Sequence, residues 1–177
     1  MLERGQAGQA LALAEDLIRS EDEMDRLDGY TCRGMVFEDG GLDLAVDLDK
    51  SLDSYRRASL IAPNAISFLH MARVSLRRRE FSQALRYLEI SAGYEVTPEI
   101  LLGFAQWSEE SDPADYKMAK SYYVKAALRG RFAGFFGYSR VARAAGQPLR
   151  ALAMDVVRIL CGPLIALAIG TRARFPF

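Results

Sequence analysis

The chain has 177 residues, half of them hydrophobic and 26% charged, which suits one ordered domain with a sizeable core. Lys plus Arg equals Asp plus Glu at 23 each, so net charge gives no reason to expect nucleic acid or an anionic membrane as partner. One histidine, His70, and two cysteines without a CxxC spacing speak against a metal centre, and no cofactor motif is present. Residues 15–53 are acid-rich, while Arg77, Arg78, Arg79 and the last seventy residues lean basic. Solvated helix faces account for that asymmetry. Cys32 and Cys161 are expected to be free, buried thiols in a reducing compartment. The N-terminus shows no signal peptide, so a cytoplasmic location is expected.

The first helix is expected at 6–20, burying Ala10, Leu13, Ala14 and Leu17. Ser20 or Asp22 is placed to cap a second helix at 23–38, with Met24, Leu27, Tyr30 or Thr31, Gly34 and Met35 at helical spacing. Gly34 costs that helix about 1 kcal/mol, which a close approach of another helix would explain. Residues 42–48 alternate apolar and acidic, but a lone strand has no partner, and a loop is expected. Leu52, Tyr55, Ala58 and Ser59 define the inner face of a helix at 48–60. Pro63 stops it, and Asn64 caps the next.

A helix at 65–78 is expected to bury Ala65, Phe68, Leu69, Ala72 and Leu76. One at 81–92 buries Phe81, Ala84, Leu85, Leu88 and Ala92, and Gly93 ends it. Thr97 caps and Pro98 opens a helix to about Ser108, where proline's missing N–H costs nothing. The most regular element follows, from Asp115 to Gly130. Ala119, Tyr122, Tyr123, Ala126 and Ala127 share one of its faces, and Gly130 sits where a left-handed cap belongs. A helix at 132–145 carries Phe132, Phe135, Phe136, Ser139 and Val141. Gly146 and Pro148 restart the chain into a strongly apolar final segment that Pro163 interrupts.

Ala84, Tyr87 and Ala92 return 35 residues later as Ala119, Tyr122 and Ala127, and Gly103 returns 34 later as Gly137. A period in the mid-thirties made of two helices is the signature of an α-solenoid. Leu102-Gly103, Asp115, Ala119, Tyr122-Tyr123, Lys125-Ala126-Ala127 and Gly130 resemble a Sel-one-like repeat. Met118 departs from that pattern, as does the turn Glu109–Ala114. Pro63-Asn64, Ala72, Phe81, Ala84 and Leu88 are closer to a tetratricopeptide repeat. The expected fold is therefore an all-α superhelix of about four helix-turn-helix repeats in a single domain, roughly 23–62, 63–96, 97–131 and 132–170.

The resemblance implies a non-enzymatic adaptor, often bacterial, that binds a partner peptide or helix in a concave groove lined by the first helix of each pair. It places His70, Arg73 and Arg77 on the groove side, where guanidinium groups would clamp a partner's carboxylate. Phe104, Trp107 and Tyr138 are the candidate aromatic anchors. From Val156 to Gly170 only Arg158 is charged. This run is too short to span a bilayer, and a closing helix explains it. A dimer face or a membrane contact through 156–170 is the sharper reading, and it gives a rival function: a membrane-proximal subunit of a bacterial envelope or polysaccharide secretion complex. A second rival, an enzyme built on His70 or the acidic turn, would require a pocket joining His70 to an acid and a nucleophile.

Overall fold

A computed structural model describes residues 6–169, with side chains described through residue 160. The regular structure among them is helical: α1 (Gln6–Ile18), α2 (Glu23–Asp39), α3 (Leu48–Ile61), α4 (Ala65–Arg77), α5 (Phe81–Tyr94), α6 (Pro98–Glu110), α7 (Tyr116–Leu128), α8 (Ala133–Ala144) and α9 (Pro148–Ile169). Residues 42–47 form a loop, as expected. The helices gather into two compact units, α1–α5 and α6–α9, divided between Glu95 and Val96. That division falls where the second and third expected repeats meet. Within each unit every helix packs on its sequence neighbours, which makes the architecture an all-α helical repeat.

The helix starts follow local chemistry. Asp22, Asp47, Asn64, Thr97 and Asp115 each accept a backbone N–H from the first turn that follows. Each such cap contributes on the order of 1 kcal/mol. Gly40, Gly130 and Gly146 hold positive φ values of 63°, 93° and 70° at turns, where a Cβ would be strained. Gly93 does not end α5, which continues through Tyr94. The helix at 148–169 runs through Pro163 without the expected interruption.

In the first unit, Leu76, Leu88, Met71, Val74 and Tyr55 are fully buried. Each such aliphatic side chain contributes about 1.5–3 kcal/mol by leaving water. Small residues set the helix spacing. Ala7 and Ala14 turn α1 toward α2, and a Cβ built on Gly29 would lie 2.8 Å from the Ala14 carbonyl oxygen. Leu13 was expected inside and is exposed for that reason: α1 presents its small stripe, not its large one. Met24 and Met35 are also exposed, because α2 buries Gly29, Gly34, Val36, Phe37 and Glu38 instead. In the second unit Ala105, Ala119, Tyr123 and Val141 form one core cluster, with Leu102, Tyr122 and Tyr138 packed against it.

Serine hydroxyls at two helix crossings bond backbone carbonyls of the neighbouring helix. Ser51 donates to the Gly34 carbonyl at 2.9 Å, and Ser91 to that of Ala65 at 2.7 Å. Cys32 is half-buried and free, and burial pushes its thiol up. The Cys161 side chain lies outside the described residues.

Candidate functional site

Glu38 sits in the last turn of α2, where the helix dipole disfavours an acid by up to about 1 kcal/mol. Its side chain is only 3% exposed. A carboxylate in that position persists only if donors surround it. Tyr55 of α3 donates its hydroxyl to Oε2 at 2.9 Å, and Arg73 of α4 pairs with Oε1 at 2.9 Å. His70 lies one turn before Arg73. Its ring stacks on Tyr55 with centroids 4.7 Å apart, and its Nδ1 is 3.5 Å from Oε2. Arg77 donates to the Glu38 backbone carbonyl, which closes the end of α2. Burial alone would raise the Glu38 carboxyl, but His70, Arg73 and Tyr55 outweigh it and hold it below its ordinary value. Burial and the adjacent Glu38 push the Tyr55 phenol well above its usual range.

Gly34 makes this arrangement possible. A Cβ there would sit 2.6 Å from Cε1 of Tyr55, so the ring lies directly on the α2 backbone. One acid on α2, one tyrosine on α3 and one arginine on α4 thereby clasp three successive helices.

The second unit repeats the clasp. Tyr123 of α7 donates to Glu109 Oε2 of α6 at 2.8 Å. Arg140 of α8 forks onto both Glu109 oxygens, Nε to Oε1 at 2.9 Å and Nη2 to Oε2 at 2.7 Å, and also reaches the Tyr123 hydroxyl at 3.0 Å. Burial and Glu109 push the Tyr123 phenol up, and the Glu109 hydrogen bond raises Arg140. Glu38 and Glu109 stand 71 residues apart, Tyr55 and Tyr123 68, Arg73 and Arg140 67, which is two repeat periods in each case.

The two clasps differ on either side of the arginine: four residues after it stands Arg77 in α4 and Ala144 in α8. Three residues before the arginine stands His70 in α4 and Gly137 in α8. His70 covers its clasp, whereas Gly137 has no side chain. Tyr123 instead lies against the α8 backbone, 2.2 Å from where a Gly137 Cβ would be. The Glu109 side chain accordingly remains 16% exposed and that of Arg140 63%. A cleft of about 340 Å³ opens here between α6, which contributes Gln106, Glu109 and Glu110, and α8, which contributes Ala133, Gly137 and Arg140.

His70, Arg73 and Arg77 therefore meet as expected from their spacing, but around this chain's own Glu38. Arg73 keeps its side chain 46% exposed. Phe104 stacks on Tyr122 at 5.2 Å, and Tyr138 packs on the second unit's core. Trp107 is half-buried. None of these three aromatics lines the cleft beside Gly137. Sequence reasoning missed Glu38, Tyr55, Tyr123 and Arg140 as one recurring set. The signal was the double-period return of Glu, Tyr and Arg on successive helices.

A larger opening in the first unit, about 570 Å³, is bordered by Glu15, Arg33, Asp53 and Arg57. Its charges pair with one another: Arg33 with Glu15 at 3.3 Å, and Arg57 with Asp53 at 2.8 Å. Among the described residues no group of acids, histidines and cysteines is placed to hold a metal, and no helix is long and apolar enough to cross a membrane. The chain matches no protein-family model, no curated protein and no solved structure.

Proposed function

We propose that this chain is a non-enzymatic adaptor of the Sel-one-like or tetratricopeptide kind, holding a peptide or helix of a partner protein on its first-of-pair helices. The observation that carries this reading is the cleft of about 340 Å³ between α6 and α8, beside the pair by which Arg140 of α8 holds Glu109 of α6. The chemistry around His70 favours the same reading over catalysis. His70, Glu38 and Tyr55 meet in a crossing with Arg73, so the acid beside His70 is already held by structural partners. Adaptors of this architecture use rigid walls and shallow clefts, because preorganisation lowers the entropy lost on binding.

Gln106→Trp tests the reading by filling the cleft without touching the clasp. Wild-type protein should retain a partner in affinity capture, and the variant should lose it at an unchanged melting temperature. Equal capture by both would refute the cleft as the binding surface.

A second reading rests on α9. Leu149, Leu152, Ile159 and Leu160 are 60–80% exposed there, an apolar stripe on the last described helix. It favours the membrane-proximal subunit of an envelope or polysaccharide secretion complex. Leu152→Glu/Ile159→Glu should then abolish co-flotation with lipid vesicles. Flotation at the wild-type level, or none by the wild type, would remove that reading.

A further inference from the structure

We propose that the outward face of α9 pairs with the same face of a second copy of this chain, α9 against α9 about a two-fold axis. The inference does not rest on the α6–α8 cleft. It starts from a helix whose polarity is reversed. α9 packs against α8 and turns its charges inward. Asp155 accepts from the Ser139 hydroxyl at 2.8 Å and pairs with Arg143. The Arg158 guanidinium lies 4.2 Å from the centre of the Phe136 ring of α8. On the same side Ala151 is fully buried, and Met154 packs on Ala127, Phe132 and Phe135. Leu149, Leu152, Val156, Val157, Ile159 and Leu160 are left facing water. They cover about 160° of the helix with no charge among them, and Arg150 stands at their margin. A helix that only closes a core shows water the opposite face.

Spacing and area select the occupant. Leu149, Leu152, Val156 and Ile159 are separated by three, four and three residues, the seam by which two helices interlock. A bilayer needs no such spacing, and helices that lie on one carry Lys and Arg on their polar face. Here Arg158 is turned inward instead. An uncharged stripe meets its own copy without like-charge repulsion. The exposed fractions amount to about 600 Å² per copy, so self-pairing hides about 1,200 Å², which is enough for a specific interface. A two-fold contact uses the same patch on both copies, so association closes at two.

Sedimentation velocity on the full chain, from micromolar to millimolar concentration, tests the proposal. The mass should rise toward that of two chains and stop there. Leu152→Glu/Ile159→Glu should weaken association roughly a hundredfold or more, because unpaired carboxylates would be buried in the seam. Its circular dichroism should be unchanged, since both side chains are exposed in the single chain. A mixture of Leu152→Glu and Leu152→Lys should associate more tightly than either alone, as contact between two α9 helices requires. Leu60→Glu, at the most exposed large apolar side chain among the described residues, should leave the dimer intact. A wild-type mass of one chain throughout, growth past two chains, a mixture no tighter than its parts, or loss of the dimer in Leu60→Glu would overturn the proposal. So would flotation of the wild type as a single chain with phosphatidylcholine–phosphatidylglycerol vesicles, because lipid would then cover the stripe.

Discussion

Replacing Gly34 by alanine and Gly93 by alanine makes one chemical change in two helices, and the structure assigns the two opposite signs. Both positions are helical, so both gain from alanine's better propensity, up to about 1 kcal/mol in a helix interior. Near Gly93 nothing lies within 4 Å of the new Cβ, and that gain stands, reduced by the position close to the helix end. At Gly34 the new Cβ meets three ring atoms of Tyr55 at 2.6–2.8 Å. Tyr55 is fully buried and cannot swing away, because His70 stacks on its other face and its hydroxyl holds Glu38. Overpacking of this sort costs about 1–3 kcal/mol. Shifting the ring also strips a donor from a buried carboxylate, at about 1–3 kcal/mol more. The net expectation for Gly34→Ala is a loss of about 2 kcal/mol, and for Gly93→Ala a gain of about 0.5 kcal/mol. Urea denaturation followed by far-ultraviolet circular dichroism measures both. A Gly34→Ala protein as stable as the wild type would refute the close contact between α2 and the Tyr55 ring.

The remaining predictions concern the clasps. Tyr55→Phe should cost more than Tyr123→Phe, by about 1 kcal/mol, because Glu109 keeps a bidentate arginine and some water while Glu38 is sealed; urea midpoints of the two variants compare them. Glu38→Gln should cost about 2 kcal/mol, since Arg73 and His70 lose their shared acid. The same acid makes a pH prediction. Its folded value is lowered, so its contribution is complete above the ordinary carboxylate range and fades as pH falls below about 4.5 through the folded value. Glu38→Gln should therefore flatten the loss of stability on acidification, and an unchanged slope between wild type and variant would contradict the sign. Imidazole in solution should raise the melting temperature of His70→Gly and leave that of the wild type unchanged, because only the variant has a vacancy over Tyr55.

Much of the fold was legible because its signals are local. Asn64 and Thr97 cap as their side chains dictate within one turn, and Gly130 and Gly146 take the positive φ that ends a helix. Which face each helix buries was less legible. A large stripe and a small stripe both repeat at helical spacing, and α1 buries the small one, leaving Leu13 in water. Gly93 looked like a stop because glycine often is one; α5 runs one residue past it, through Tyr94, before Glu95 turns extended. The clasps were hidden for a different reason. Glu38-Asp39 and Glu109-Glu110 read as parts of acidic turns, and only a tyrosine from one helix and an arginine from the next make one acid of each pair an anchor between helices. The spacing of His70, Arg73 and Arg77 pointed to a binding stripe; their contacts with Glu38 give them a structural task first.

The most direct measurement places a photo-reactive benzoylphenylalanine at position 106 in the cleft and, separately, at exposed position 89 on α5. The account predicts crosslinking from position 106 alone, onto a partner segment that competes as a free peptide. Equal yields from both positions, or no crosslink from position 106, would contradict it.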